Sequence, residues 1–367
     1  MEKKLFVTAR WNRSDIRKTW SGSGYALWQG LSKNFRVEKI ALVNTWWYRC
    51  LQLARRVGMR FLSKPLEDIQ TNILRKQIQQ YKNIPVFMIT GVFEVENPSY
   101  LYMDNIWEVA HLLTSSEAQN KHYFNHFFSY SSQEISFQIT RQYNVFSKSK
   151  AIFLMGHWLA DYMKDIYPEF KDKIYAVGGG CNAYSFNSDE IRRGNKILFV
   201  GKAFLRKGGD IVVEAFRLLR ANYKKDAELI IVGPKTLPDK YRGEGIIFKG
   251  CLSFEEVGRL MKMCDVFCMP SRFEAYGLVF VEALLNGLPC IGRNAFEMPY
   301  FIEPGITGEL IDEDDPEVLA RKIVDVMAND EMKHAVAERR NEYESYYNWD
   351  RVCADITRII KEKENER

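Results

Sequence analysis

The sequence predicts an α/β protein of two doubly wound domains, each built on a mostly parallel sheet. Short β-branched or aliphatic runs alternate with helical patterns twice over, the signature of successive β-α-β units. The chain has 367 residues, enough for two domains at roughly 100–200 residues each. A turn of three glycines, Gly178, Gly179 and Gly180, continues through Cys181 and Asn182 into the polar stretch 185–194 and separates the two runs. The expected segments are 1–180, 181–340 and a helical 341–367.

In the first half, strands are expected at residues 5–8, 37–43, 86–89, 101–103, 151–155 and 174–177. In the second they are expected at 196–200, 228–232, 246–248, 266–269, 289–291 and 309–311. Helices run between them, as in 211–220, where Ile211, Val212, Ala215, Phe216 and Leu219 recur on one face. After Ala328 the chain reads as helices only, closing on the polar tail 361–367.

Apolar residues at 46% and charged residues at 27% exclude a disordered module. No apolar run approaches the roughly eighteen residues that span a bilayer, and the first residues pass into a strand pattern, so a cytoplasmic protein is expected. The cysteines (50, 181, 251, 264, 268, 290 and 353) are odd in number without a CxxC pair, which implies neither a disulfide framework nor a zinc site. The net charge of +5 divides unevenly, +9 over residues 1–180 and −4 over 181–367. Basic residues of the first sixty, Arg55 and Arg56 among them, are interleaved with Trp11, Trp20, Trp28, Trp46, Trp47 and Tyr48. That fits an anionic partner such as membrane lipid, phosphorylated glycan or nucleic acid, and equally a solvated helix face over ordinary core aromatics.

The most informative segment is 270–289. A strand ends at Met269, a loop carries Glu274, and a helix begins near Gly277 or Leu278, placing free backbone amides at the carboxyl edge of a parallel sheet. Anions bind there. A carboxylate would repel the phosphate those amides attract, so Glu274 and Glu282 fit hydroxyl groups on either side of a diphosphate, as in a sugar nucleotide. A capping Glu274 and a solvated Glu282 would leave the same Glu-x7-Glu spacing. The first strand of this half supplies the companion motif. It runs into Gly201 and Lys202, and residues 204–210 then open a helix with Lys207 at its start. Lys202 and Lys207 suit a pyrophosphate and the charge that grows on it as a sugar departs.

Together these segments resemble the family-4 glycosyltransferases, retaining enzymes of the GT-B fold, over most of residues 195–367. The resemblance implies two Rossmann-like domains facing a cleft, with the donor held by the second and the acceptor by the first. It also implies a C-terminal helix, around 349–361, that crosses back onto the first domain. It places Lys202 and Lys207 of the Gly201 loop on the diphosphate, Glu274 on donor-sugar hydroxyls and Glu282 on the ribose diol. The amides of Gly277, Leu278 and Val279 fall to the distal phosphate, and the turn with Gly250 and Cys251 to the base. Residues 293–300 depart from the family pattern, which usually passes through a small or glycine-containing loop to Pro-Glu.

In the first half, Gly22 and Gly24 suit the family's glycine-rich loop, although Leu27 stands where a dinucleotide fingerprint has its third glycine and no GxxxxGK[ST] occurs. By position, Asp104 takes the place of the family's His or carboxylate facing the donor, and a helix cap is its other reading. His157 and Trp158 follow a strand, with packing as the alternative role. The Asp312-Glu313-Asp314 string precedes Pro316, where helix-start chemistry accounts for it, so no metal and no cofactor besides the donor is expected.

The expected activity is metal-independent, retaining transfer of a sugar from a nucleoside-diphosphate sugar to a hydroxyl of a glycan or lipid-linked glycan. Peripheral contact with an anionic inner membrane face is expected and nucleic acid is not. The rivals are a sugar-nucleotide epimerase or a phosphorylase on the same fold, and a non-catalytic module for anionic surfaces or nucleic acid.

Overall fold

The computed structural model describes residues 3–366 apart from 10, 13, 42–49, 51–52, 55–62, 79–80, 116–122, 124–129 and 183–193. Trp46, Trp47, Tyr48, Arg55 and Arg56 therefore lie outside the described residues, as does most of 185–194. The chain forms two compact units, Met1–Gly179 with Trp349–Arg367, and Gly180–Asn348.

The first unit is a six-stranded parallel sheet of β1 (Lys4–Ala9), β2 (Arg36–Ala41), β3 (Val86–Ile89), β4 (Ser99–Met103), β5 (Ala151–Leu154) and β6 (Ile174–Ala176). Its order is β2-β1-β3-β4-β5-β6. The chain winds one way from β1 to β2 and the other way from β3 onward. Helices α1 (Ser23–Ser32), α2 (Ser63–Ile78), α3 (Trp107–Ser115), α4 (Ser132–Lys148) and α5 (His157–Ile166) belong to this unit. Strands β3, β4 and β5 are buried along their whole length, which is why they read as unbroken apolar runs rather than alternating ones.

The second unit repeats the architecture with β7 (Lys196–Val200), β8 (Glu228–Val232), β9 (Ile246–Gly250), β10 (Val266–Cys268), β11 (Cys290–Arg293) and β12 (Gly308–Ile311). All pairings are parallel and the order is β12-β11-β10-β7-β8-β9. Here the winding reverses between β7 and β10. Its helices are α6 (Gly209–Asn222), α7 (Phe254–Met263), α8 (Leu278–Leu285), α9 (Met298–Phe301), α10 (Pro316–Ala328), α11 (Asp330–Glu338) and α12 (Arg340–Tyr346). Helix starts follow the sequence's capping signals. Ser253 and Glu256 close a capping box on α7, and Asp315 accepts from the amides of Glu317 and Val318 at the head of α10.

The third expected segment, 341–367, is divided rather than whole. Helix α12 stays in the second unit, and the last helix, α13 (Trp349–Asn365), belongs to the first. The break falls at Asn348, between two helical patterns that the sequence runs together. Val352, Ile356, Ile359 and Ile360 recur at i, i+4, i+7 and i+8 along α13 and are buried, each worth roughly 1.5–3 kcal/mol. The seam between α13 and α1 is tight, because a Cβ at Gly30 would lie 2.4 Å from Sγ and 2.8 Å from Cβ of Cys353. Gly30→Ala gains about 1 kcal/mol in helix propensity. It also forces two helix backbones apart, because a rotation of the thiol alone leaves the Cβ contact in place. Overpacking of this kind costs about 1–3 kcal/mol, so the denaturation midpoint should fall, and Cys353→Gly added to the variant should recover part of the loss. An unchanged midpoint would mean that the seam has slack.

Among the described residues no helix is long and apolar enough to cross a membrane.

Candidate active site

In an open parallel sheet, ligands settle outside the carboxyl ends of the strands where the winding reverses. In the second unit that point lies between β7 and β10, and the loops leaving those two strands carry residues 201–208 and 269–277. The structure brings the expected residues of both loops together. Lys207 Nζ lies 2.8 Å from Glu274 Oε2 and 3.5 Å from Met269 Sδ. The pair is shielded, with side-chain exposures of 14% and 11%. The Arg206 guanidinium donates to the Phe273 carbonyl and stands 3.9 Å from the same carboxylate, while the Ser271 hydroxyl donates to Phe273 O at 2.8 Å.

The two glutamates are both buried but electrostatically opposite. Burial pushes the Glu274 carboxyl up, yet the charges of Lys207 and Arg206, with the hydrogen bond from Lys207, outweigh it and hold the group below the usual carboxylate range. It is ionised at neutral pH. Glu282, on the second turn of α8, is pushed up to about 7 by burial, against a downward pull from the Lys207 charge. It keeps its proton to a higher pH than Glu274 does.

Small residues make the geometry possible. The stem of Lys207 lies across Gly201, where a Cβ would come within 2.4 Å of Lys207 Cδ. Gly277 takes φ +104° as the residue ahead of α8, a left-handed conformation that other residues rarely adopt. A Cβ there would also sit 3.0 Å from Glu274 Cγ and from the Phe280 ring. The turn at Gly277 thus packs the Glu274 side chain against the residue ahead of α8, and the first amides of that helix, those of Leu278 and Val279, have no intrahelical acceptor. Gly250, at the end of β9, accepts from the Gly233 amide at 2.7 Å, and the exposed Cys251 directs its thiol to Gly233 O at 3.2 Å. Gly233 in turn backs onto Gly201. The loops after β7, β8 and β9 therefore form one continuous floor.

Lys202 is exposed, and the second cation that the structure sets beside Glu274 is Arg206. Arg206 was visible only as a neighbour of Lys207 in the same loop. Residues 293–300 are tied to the rest of the unit at several points, with Glu297 and Met298 buried and Asn294, Pro299 and Tyr300 exposed. Arg293 bonds Asp312 O and the Asp314 carboxylate, and Asn294 holds Asp312 Oδ1 at 2.9 Å. Phe296 meets Phe273 edge-on at 5.1 Å, and Glu297 is 1% exposed. Asp314 also takes a 2.6 Å bond from Arg272, so the Asp-x-Asp string is occupied by side chains of this chain. Among the described residues no cluster of three His, Cys, Asp or Glu is placed to hold a metal.

The first unit is considered by itself. Its winding reverses between β1 and β3, and Gly22 caps α1 there, directly after the left-handed residues Trp20 and Ser21. Gly24 packs against Thr19, to whose Cγ2 a Cβ would come within 2.8 Å. Trp20 meets Tyr102 edge-on at 5.8 Å, and the Tyr102 hydroxyl donates to Gly178 O at 2.7 Å. Asp104 is half-buried immediately after β4, while the carboxamide of Asn105 accepts from the Ile106 amide ahead of α3. His157 opens α5.

Residues 183–343 match the family model described as glycosyl transferases, group 1. Over 180 residues, 46% of this chain and 46% of the relative, the sequence is 28% identical to a phosphatidyl-myo-inositol mannosyltransferase of Mycolicibacterium smegmatis. The chain spans about half the length of the curated relatives it matches. Two solved structures share its fold. WaaG, a glycosyltransferase involved in lipopolysaccharide biosynthesis, superposes with TM-score 0.67 at 14% identity, covering 97% of this chain and 99% of that one. Anabaena HepE, solved with UDP and glucose, superposes with TM-score 0.65 at 12% identity, covering 98% and 100%.

Proposed function

From the premise that residues 183–343 form a group 1 glycosyltransferase domain and that the chain is a GT-B protein of the family-4 kind, we propose a retaining, metal-independent glycosyltransferase. It moves a sugar from a nucleoside diphosphate to a hydroxyl of a glycan or lipid-linked glycan. The observation that carries this is the half-buried Lys207–Glu274 pair beside the start of α8, at the sheet's reversal point. The ammonium and the helix amides suit a diphosphate, and the carboxylate suits sugar hydroxyls next to it. The solved HepE complex with UDP and glucose supports a nucleotide-sugar donor.

In this reading catalysis is electrostatic. Lys207 and the amides of Leu278 and Val279 stabilise the charge that grows on the departing diphosphate. Glu274 orients the sugar and faces the positive charge at its anomeric carbon, and the acceptor enters from the side the leaving group quits, which retains configuration. Glu282 accepts the ribose hydroxyls. Peripheral contact with an anionic membrane belongs to the same proposal and is read as salt-dependent cosedimentation with anionic vesicles. The test of the activity is incubation with a panel of sugar nucleotides, with and without acceptor, phosphate and EDTA. Diphosphate release that needs acceptor, survives EDTA and yields the donor's anomer is expected. Isomerised donor without acceptor, a requirement for inorganic phosphate, or loss of turnover in EDTA that a divalent cation restores would each overturn it.

Glu282 gives a pH signature. Its folded pKa of about 7 lies above the ordinary 4.5, so the native state holds more protons than the unfolded chain between those values. Its contribution therefore favours folding at low pH and is lost as pH rises through about 7. Glu282→Gln should gain stability over the parent on going from pH 5 to pH 8. Hydroxyl donors favour the ionised form, so nucleotide binding near pH 7 should release a fraction of a proton. Calorimetry in buffers of different ionisation enthalpy reads that release, and a release that persists in Glu282→Gln would assign the proton elsewhere.

A further inference from the structure

Two residues before Glu274, Arg272 makes more polar contacts than any role at the surface needs. Its backbone amide donates to Arg206 O at 2.8 Å. Its guanidinium grips Asp210 with two bonds, of 2.8 and 3.0 Å, donates to Leu205 O, and reaches Asp314 at 2.6 Å. One residue thus holds positions 205, 206 and 210, on both sides of Lys207, to the loop that bears Glu274. The side chain is 10% exposed. Asp314 is shared with Arg293, whose guanidinium also donates to Asp312 O, so two cations and two carboxylates balance in a network that runs from the shielded Arg272 and Asp210 out to the exposed Asp314, outside the donor-contacting set.

We propose that Arg272 is a positioning residue, which locks the Lys207 loop to the Glu274 loop through Asp210 and anchors both to the strand ends beyond through Asp314. Nothing in Arg272 itself touches the donor in this proposal. Its effect passes through the 2.8 Å contact between Lys207 and Glu274, which depends on two loops that are separate in sequence. The fork geometry matters as much as the charge. A planar guanidinium reaches a carboxylate with two parallel bonds while a third nitrogen serves another acceptor, and an ammonium cannot reproduce that. The network also gives Asp314 a task that does not involve a cation bound from solution.

The inference rests on the glycosyltransferase reading for its effect on turnover, but not for its effect on structure. Hydrogen exchange of the unliganded chain separates the two. In Arg272→Lys the amides of Lys207, Gly208 and Gly209, which bond within the loop, should exchange at least tenfold faster, while the core of α6 keeps its protection. Asp314→Asn, a milder change, should show a smaller effect of the same pattern and guards against a lysine variant that fails to fold. Turnover at saturating donor should fall on the order of tenfold to a hundredfold in Arg272→Lys, the scale set by small misplacements of reacting groups. In Arg272→Ala, millimolar guanidinium ion should restore part of it. Exchange unchanged in both variants overturns the clamp, whatever reaction the protein performs. Faster exchange with kcat unchanged overturns its link to catalysis. A wild type inactive with every donor would count against the glycosyltransferase reading and leave the exchange result to judge the clamp.

Discussion

Lys207→Ala should lose turnover on the order of a hundredfold to a thousandfold and bind nucleoside diphosphate more weakly. Removing one preorganised partner of a developing negative charge costs about 3–4 kcal/mol in sites of this kind, and Lys207 is the cation in direct contact with Glu274. Truncation has a second consequence. It leaves the buried Glu274 carboxylate with Arg206, 3.9 Å away, as its remaining cation, so its pKa should climb and the unit should lose stability. The two consequences separate in the double variant. Lys207→Ala with Glu274→Gln should recover the melting temperature, because no unmatched charge stays buried, while turnover remains lost. Single-variant turnover within threefold of the parent would remove Lys207 from the mechanism.

Much of this site was legible because its parts follow from local pattern. A buried strand, a loop with a carboxylate, and a helix opening at glycine place Glu274 and the first amides of α8 by chain geometry alone, and 201–208 repeats the logic after β7. Each stretch expected as a strand has a counterpart in the two sheets; the central strands, covered on both faces, read as continuous apolar runs. What stayed hidden depends on contacts between distant segments. Lys202 and Arg206 are equivalent on paper as cations near Lys207, and only the path of the loop turns Arg206 toward Phe273 O and Glu274. Arg272, Asp210, Arg293 and Asp314 come from four separate stretches, and no spacing announces their pairing. Gly30 meets Cys353 across more than three hundred residues, so neither residue marks the seam in the sequence. The end of the second unit at Asn348 was blurred for a related reason, because α12 and α13 are helical on both sides of a short break.

Glu274→Gln should lower kcat by a hundredfold or more and leave affinity for the free nucleoside diphosphate intact or a few times tighter. The asymmetry comes from the ion pair. Lys207 donates to Glu274 at 2.8 Å, so in the absence of donor the carboxylate competes with any diphosphate for that ammonium. An amide removes the competing charge and a like charge beside the phosphates, and both changes favour the diphosphate. Turnover moves the other way, since a carboxylate facing positive charge at the anomeric carbon acts mainly in the transition state. Glu282→Gln should give the opposite result. Its contact with the ribose would be made equally in ground and transition states, so nucleotide affinity should fall while kcat at saturation changes little. Calorimetry with the diphosphate alone, set beside saturation kinetics for the same two variants, compares them directly. If Glu274→Gln loses diphosphate affinity as severely as Glu282→Gln and keeps its turnover, the sugar does not lie against Glu274. The Lys207–Glu274 pair would then be a structural ion pair rather than the place where diphosphate and sugar part.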